Sequence, residues 1–171
     1  KLITCFQPRF GPKEWLQPFT DETVKKLADK LIAAMYEFRR EPWFFQSGGP
    51  GSALWKSTDG GDSWTEVVGN GFPTAMKGRI GIAISQSNPD IMYTMVEAEQ
   101  EADDSGGNGL YRSDDGGVTW EKVNDWRGRP SYYSQIRVDP NDPDVIWALD
   151  SNMGFSDDGG RRLRNHRTGH Q

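Results

Sequence analysis

Carboxylates are abundant in this sequence, with 25 Asp and Glu among 171 residues, and several stand in pairs. Asp114-Asp115 and Asp157-Asp158 invite comparison with the two acids of glycoside hydrolysis. Glu97, Glu99, Glu101, Asp103 and Asp104 crowd one short stretch. Such a run serves first as a solvated loop, and otherwise as a contact surface for a cationic peptide or a metal, or as a sugar-cleaving acid. Trp126, Arg127, Arg129, Tyr132 and Tyr133 follow soon after. Aromatic rings stack on sugars and Arg clamps carboxylates. Tyr132 and Tyr133 border a strand-like run, which points to a core role for one of them. His166 and His170 stand four apart and would hold a metal only on a formed helix, which Thr168 and Gly169 disfavour. Cys5 is the single cysteine, so neither an internal disulfide nor a zinc cluster forms from cysteines.

The adjacent pairs are poor catalytic acids. Neighbouring residues in a turn point apart, whereas a glycosidase needs two carboxyls about 5–10 Å apart across the substrate. Their setting explains them better. Ser57-Thr58-Asp59-Gly60-Gly61-Asp62-Ser63-Trp64 is answered by Ser113-Asp114-Asp115-Gly116-Gly117-Val118-Thr119-Trp120. A third copy, Ser156 to Leu163, keeps Ser156, Asp158 and Gly160 but loses the hydroxyl and Trp positions. Asp59 and Asp115 can accept backbone N–H bonds within their own turn, and the glycines supply positive φ. Trp64 and Trp120 can fold back over the hairpin end. Calcium is the rival reading, but the loop of about twelve residues with its distal Glu is absent. No metal and no cofactor is expected.

A second repeat is offset by 54 residues: Asn88-Pro89-Asp90-Ile91-Met92-Tyr93 and Asp142-Pro143-Asp144-Val145-Ile146-Trp147. Strand-like runs flank each Pro. The unit reads strand, Pro turn, strand, loop, short strand, Asp-Gly-Gly turn, strand: a four-stranded antiparallel meander. Before it, Val24, Leu27, Leu31, Met35 and Phe38 recur at helical spacing. Thr20 as N-cap and Pro42 as stop predict a helix over Thr20–Arg40.

Charge divides the chain in the same places. Residues 1–49 carry eight Lys/Arg against six Asp/Glu, residues 50–160 eight against nineteen, and residues 161–171 four Arg and no acid. The domain reading is a helical appendage over 1–46, repeat blades over 47–160 and a basic tail over 161–171. The net charge of −5 argues against nucleic acid, and no apolar stretch is long enough to span a membrane.

The octapeptides resemble Asp-boxes, or BNR repeats, of sialidases, xyloglucanase-like glycosyl hydrolases and sortilin-like (VPS10) propellers. Gly78-Arg79-Ile80-Gly81-Ile82, Gly109-Leu110-Tyr111-Arg112 and Tyr132-Tyr133-Ser134-Gln135-Ile136 extend the likeness across residues 50–160. It implies a mainly β fold, an incomplete β-propeller of about 2.5 four-stranded blades, here with an N-terminal α-helix. Ser57, Asp59, Gly61, Trp64, Ser113, Asp115, Gly117, Trp120, Ser156, Asp158 and Gly160 would then be structural. Ligands would meet the opposite face, formed by Gly69–Gly78, Glu97–Asn108, Asp125–Ser131 and Asp150–Met153. Glu97, Glu99, Trp126, Arg127, Arg129, Tyr132 and Asp150 are the candidates there. The function implied is a non-catalytic binding or scaffold module for a protein or carbohydrate, within a larger protein. The alternative is a glycoside hydrolase that pairs Glu97 with Asp150. The resemblance also implies export to an extracellular or periplasmic compartment, and open blade edges would favour self-association.

Overall fold

The structure is a computed structural model and describes residues 31–35, 37–41, 44–99, 107–126, 135–149 and 153–166. Thirteen strands form among them: β1 (Leu31–Met35), β2 (Phe38–Glu41), β3 (Phe44–Ser47), β4 (Ala53–Ser57), β5 (Thr65–Glu66), β6 (Lys77–Ile84), β7 (Met92–Ala98), β8 (Gly109–Ser113), β9 (Glu121–Asn124), β10 (Gln135–Val138), β11 (Ile146–Leu149), β12 (Met153–Ser156) and β13 (Arg164–His166). They assemble into antiparallel sheets ordered β1-β4-β5, β6-β7-β8-β9 and β10-β11-β12-β13, with β2-β3 a separate hairpin.

The second and third sheets are the two meanders expected from the repeats. In each, the Pro turn closes in the same way. The Ile91 N–H donates to Asn88 O, and the Val145 N–H donates to Asp142 O. The carbonyl of the turn's Asp then accepts from the Asp-Gly-Gly turn of its own sheet: Gly116 N–H to Asp90 O at 2.8 Å, Gly159 N–H to Asp144 O at 2.9 Å. The two repeated motifs thus lock one end of each sheet together.

The helix expected over Thr20–Arg40 needs correction. Its described part is strand: β1 pairs with β4 from Leu31↔Ser57 to Met35↔Ala53, and Phe38–Glu41 pairs with Phe44–Ser47. Thr20–Lys30 lies outside the described residues. A short apolar run such as Leu-Ile-Ala-Ala-Met fits either period, so the long-range ladder decides. Ile32 and Ala34 alternate onto the core between the first and second sheets. Arg164–His166, expected in the basic tail, pairs as β13 with β12.

The core lies between sheets, in two layers. Leu54, Phe72, Ile80, Met92, Val96, Tyr111 and Trp120 fill the first layer. Ala83, Tyr93, Met95, Leu110, Ile136, Ile146 and Ala148 fill the second. Alternation along β7 sends Met92 and Val96 to one layer, Tyr93 and Met95 to the other. The second sheet is therefore covered on both faces, and β7 reads as an almost continuous apolar run.

Candidate functional site

At one end of the stack sit the three Asp-Gly-Gly turns. Each begins with a fully buried serine at the end of a strand: Ser57, Ser113 and Ser156. The hydroxyl donates to the Asp two residues on, at 2.7, 2.8 and 2.7 Å. It also accepts the N–H of the second glycine, at 2.8, 2.8 and 2.9 Å. Those glycines, Gly61, Gly117 and Gly160, have φ of 98°, 81° and 88°. The Asp carboxylate then gathers the far side of the turn. Asp115 accepts from Val118 N–H, Thr119 N–H and Thr119 Oγ1. Asp59 accepts from Ser63 N–H and Ser63 Oγ. In the third copy, Arg162 has no hydroxyl to offer, but its N–H keeps the 2.9 Å bond to Asp158 that the Ser63 and Thr119 N–H groups make to Asp59 and Asp115. A backbone donor suffices, so the degenerate copy still makes the turn.

These carboxylates are consumed by structure, and their acidity shows it. The Ser63 hydroxyl and N–H hold Asp59 well below the usual carboxylate range. Slight burial pushes Asp115 up, but the Thr119, Ser113 and Val118 donors outweigh it and hold it low. The Arg162 N–H does the same for Asp158. A depressed native value contributes stability that is fully present above the ordinary 3.8 and is lost progressively as pH falls from there toward the lowered native value. The Tm of the wild type will therefore fall steeply below pH 3.8, whereas Asp115→Asn will be less stable at neutral pH and lose less on acidification. Parallel Tm–pH curves for the two would contradict the assignment.

Between the first two turns lies a cleft of about 260 Å³, lined by Lys56, Ser63, Thr65, Asn70 and Val118 among others. Asn70 belongs to the Gly69–Gly78 connection, which the sequence places at the opposite end. The structure corrects this for its first residues: Asn70 O accepts the Trp120 N–H at 2.8 Å. The strand β5 is only two residues long, so the chain turns back early beside the second turn.

At the other end, Glu97 is part of the framework. The ladder between β6 and β7 slips between Lys77 and Ile80, forming a bulge at Gly78-Arg79. A bulge leaves a backbone donor without its ladder partner. Glu97 Oε2 accepts that donor, Arg79 N–H, at 3.1 Å. Glu99 is exposed, its N–H bonded to Met76 O. Trp126 is partly buried, packed against the second core layer with its ring beside the Gly154 backbone. Arg127, Arg129, Tyr132 and Asp150 lie outside the described residues.

A cluster not anticipated from sequence joins the second and third sheets. Arg112 bonds Asp114, Tyr93 Oη and Asp144, and sits 5.5 Å over the Tyr93 ring. Tyr93 Oη in turn donates to Pro143 O at 2.8 Å. Burial pushes the Tyr93 hydroxyl up to about 12. The signal was present: Asp144 closes a repeated turn, and Arg112 is one residue from Tyr111 on the matching strand. Among the described residues no three His, Cys, Asp or Glu side chains group to hold a metal. No described helix is long and apolar enough to cross a membrane.

The arrangement defines the class of fold. It is similar to the GH74 xyloglucanase from Xanthomonas campestris, with TM-score 0.55 and 17% identity over 78% of this chain and 20% of that one. It is also similar to the Niastella koreensis GH74 enzyme, with TM-score 0.50 and 21% identity over 86% of this chain and 24% of that one. These are β-propeller proteins, and the three sheets are blades of that kind. Curated relatives are of another sort. A 28-residue stretch is 75% identical to ferrochelatase of Chelativorans sp. (strain BNC1), covering 16% of this chain and 8% of that enzyme. A 35-residue stretch is 83% identical to the Brucella ovis ferrochelatase, covering 20% and 10%. The chain thus spans about a tenth of those relatives. No protein-family model matches the chain.

Proposed function

We propose that the blades form a non-catalytic binding or scaffold module of the Asp-box, sortilin-like kind. The connections after the second and fourth strands of each blade meet a protein or carbohydrate ligand, with Glu99, Arg127, Arg129, Tyr132 and Asp150 as contacts. The observation that carries this reading is the commitment of Glu97 to the Arg79 N–H at the β6–β7 bulge. Glycoside hydrolysis through Glu97 and Asp150 would need that carboxyl turned toward a substrate. The GH74 likeness extends to fold, and the ferrochelatase-like stretch is too small a share of those enzymes to lend their activity.

The test is a paired assay of the full chain with xyloglucan: reducing-end release, and heat of titration with xyloglucan oligosaccharides and with Lys/Arg-rich peptides. The module should release no reducing ends. It should bind one ligand class saturably, and Glu99→Lys should weaken that binding with no change in Tm. Turnover abolished by Glu97→Gln, with the Tm intact, would overturn the reading in favour of hydrolysis. Absence of saturable binding to either class would overturn the ligand assignment.

A further inference from the structure

Among the described residues, the second blade is covered on both faces, whereas each outer blade has one face left more exposed than its repeat equivalent in the second blade. The ladders fix the equivalence. Leu31 pairs with Ser57 as Met92 pairs with Ser113, so Met35 stands where Val96 does, Trp55 where Tyr111 does, and Trp64 where Trp120 does. Against the first blade, Val96 and Trp120 are 4% and 5% exposed. On the first blade itself, Met35 and Trp64 are 57% and 40% exposed, and Trp55 is half-buried where Tyr111 is fully buried. The third blade shows the converse. Ile146 pairs with Ser156, so Trp147, Leu149 and Met153 stand where Tyr93, Met95 and Leu110 do. Tyr93, Met95 and Leu110 are buried under the third blade. Trp147, Leu149 and Met153 remain half-buried, with Trp147 tilted on Phe155 at 5.8 Å.

We propose that these two faces belong together: the Trp147 face of one copy packs on the Met35–Trp64 face of a second copy. The contact continues the packing already made twice within the chain, second blade on first and third on second. It is a face-to-face contact, not pairing of open edges, and it is head-to-tail. Head-to-tail contacts close rings when the rotation allows. Two copies supply about six blades, inside the roughly four to eight of closed propellers. Burying the exposed apolar residues drives the association. The inference rests on the propeller fold and is independent of the ligand.

Light scattering on a sizing column should give twice 19.3 kDa for the full chain. Met35→Glu and Met153→Glu, each spoiling one face, should both run at 19.3 kDa with native far-UV spectra. Mixed in equal amounts they should recover the doubled mass, because each retains the face the other has lost. Should Met153→Glu lose its native spectrum, Arg137→Glu replaces it: Arg137 is exposed and stands opposite Trp147 on the same face. A wild type of 19.3 kDa, an open-ended series of masses, variants that keep the doubled mass, or a mixture that stays monomeric would each overturn the proposal.

Discussion

Truncation of Trp120 to alanine will cost about 3–5 kcal/mol, the usual range for a buried aromatic reduced to alanine. The ring is buried between the first and second blades, 5.5 Å from Phe72, which in turn lies 5.9 Å from Tyr111. Removing it opens a cavity lined by Phe72, the Gly117 backbone and their neighbours. The indole N–H has no acceptor, so the contribution is packing and not hydrogen bonding. Trp120→Phe should therefore cost distinctly less than Trp120→Ala, because it keeps an aromatic ring in the layer and leaves a smaller cavity. Chemical denaturation of both variants checks this. The equivalent Trp64→Ala, at an exposed ring, should cost far less in the monomer, and equal losses at Trp64 and Trp120 would contradict the layer assignment.

Gly71→Ala should be similarly damaging for a different reason. Gly71 has φ of 86°, where a β-carbon is strained, and a β-carbon there would collide with the carbonyl of Trp120. Backbone strain of about 1–3 kcal/mol adds to a clash that only backbone movement can relieve. The movement would break the Trp120 N–H bond to Asn70 O, detaching the blade connection from the second turn. A loss of about 2–5 kcal/mol is expected, read as a lower denaturation midpoint. Gly69→Ala is the control. Its φ of 68° carries backbone strain, but nothing lies within 4 Å of a β-carbon there, so it should cost markedly less. Equal effects at the two positions would show that the close approach at Trp120 is absent.

The sequence made the second and third blades legible because two independent motifs repeat in register. Asp90 and Asp144 hold the turns that Gly116 and Gly159 complete, so turn chemistry and strand spacing gave one answer. The third octapeptide looked broken because its hydroxyl and Trp are missing. The turn closes without them, because the Arg162 N–H, the serine and the second glycine keep the bonds that all three copies share. Leu31–Met35 was misread because five apolar residues fit a helical stripe and a strand equally well, and only the distant β4 decides between them. The bond that Glu97 makes to the Arg79 N–H was not legible for a related reason. It depends on a bulge at Gly78-Arg79, and register slips leave no mark in composition. Arg112 was passed over because Asp144, the partner through which it links two blades, lies in a different blade.

The central claim is that three antiparallel sheets stack face to face, with the second covered on both sides. Native-state hydrogen exchange tests it most directly. Slowest exchange should fall on the amides of β7 and β8, whose side chains fill both core layers. The amides of β5 and β13, at blade margins, should exchange much faster. Protection of β7 no greater than that of β13 would contradict the stacked arrangement.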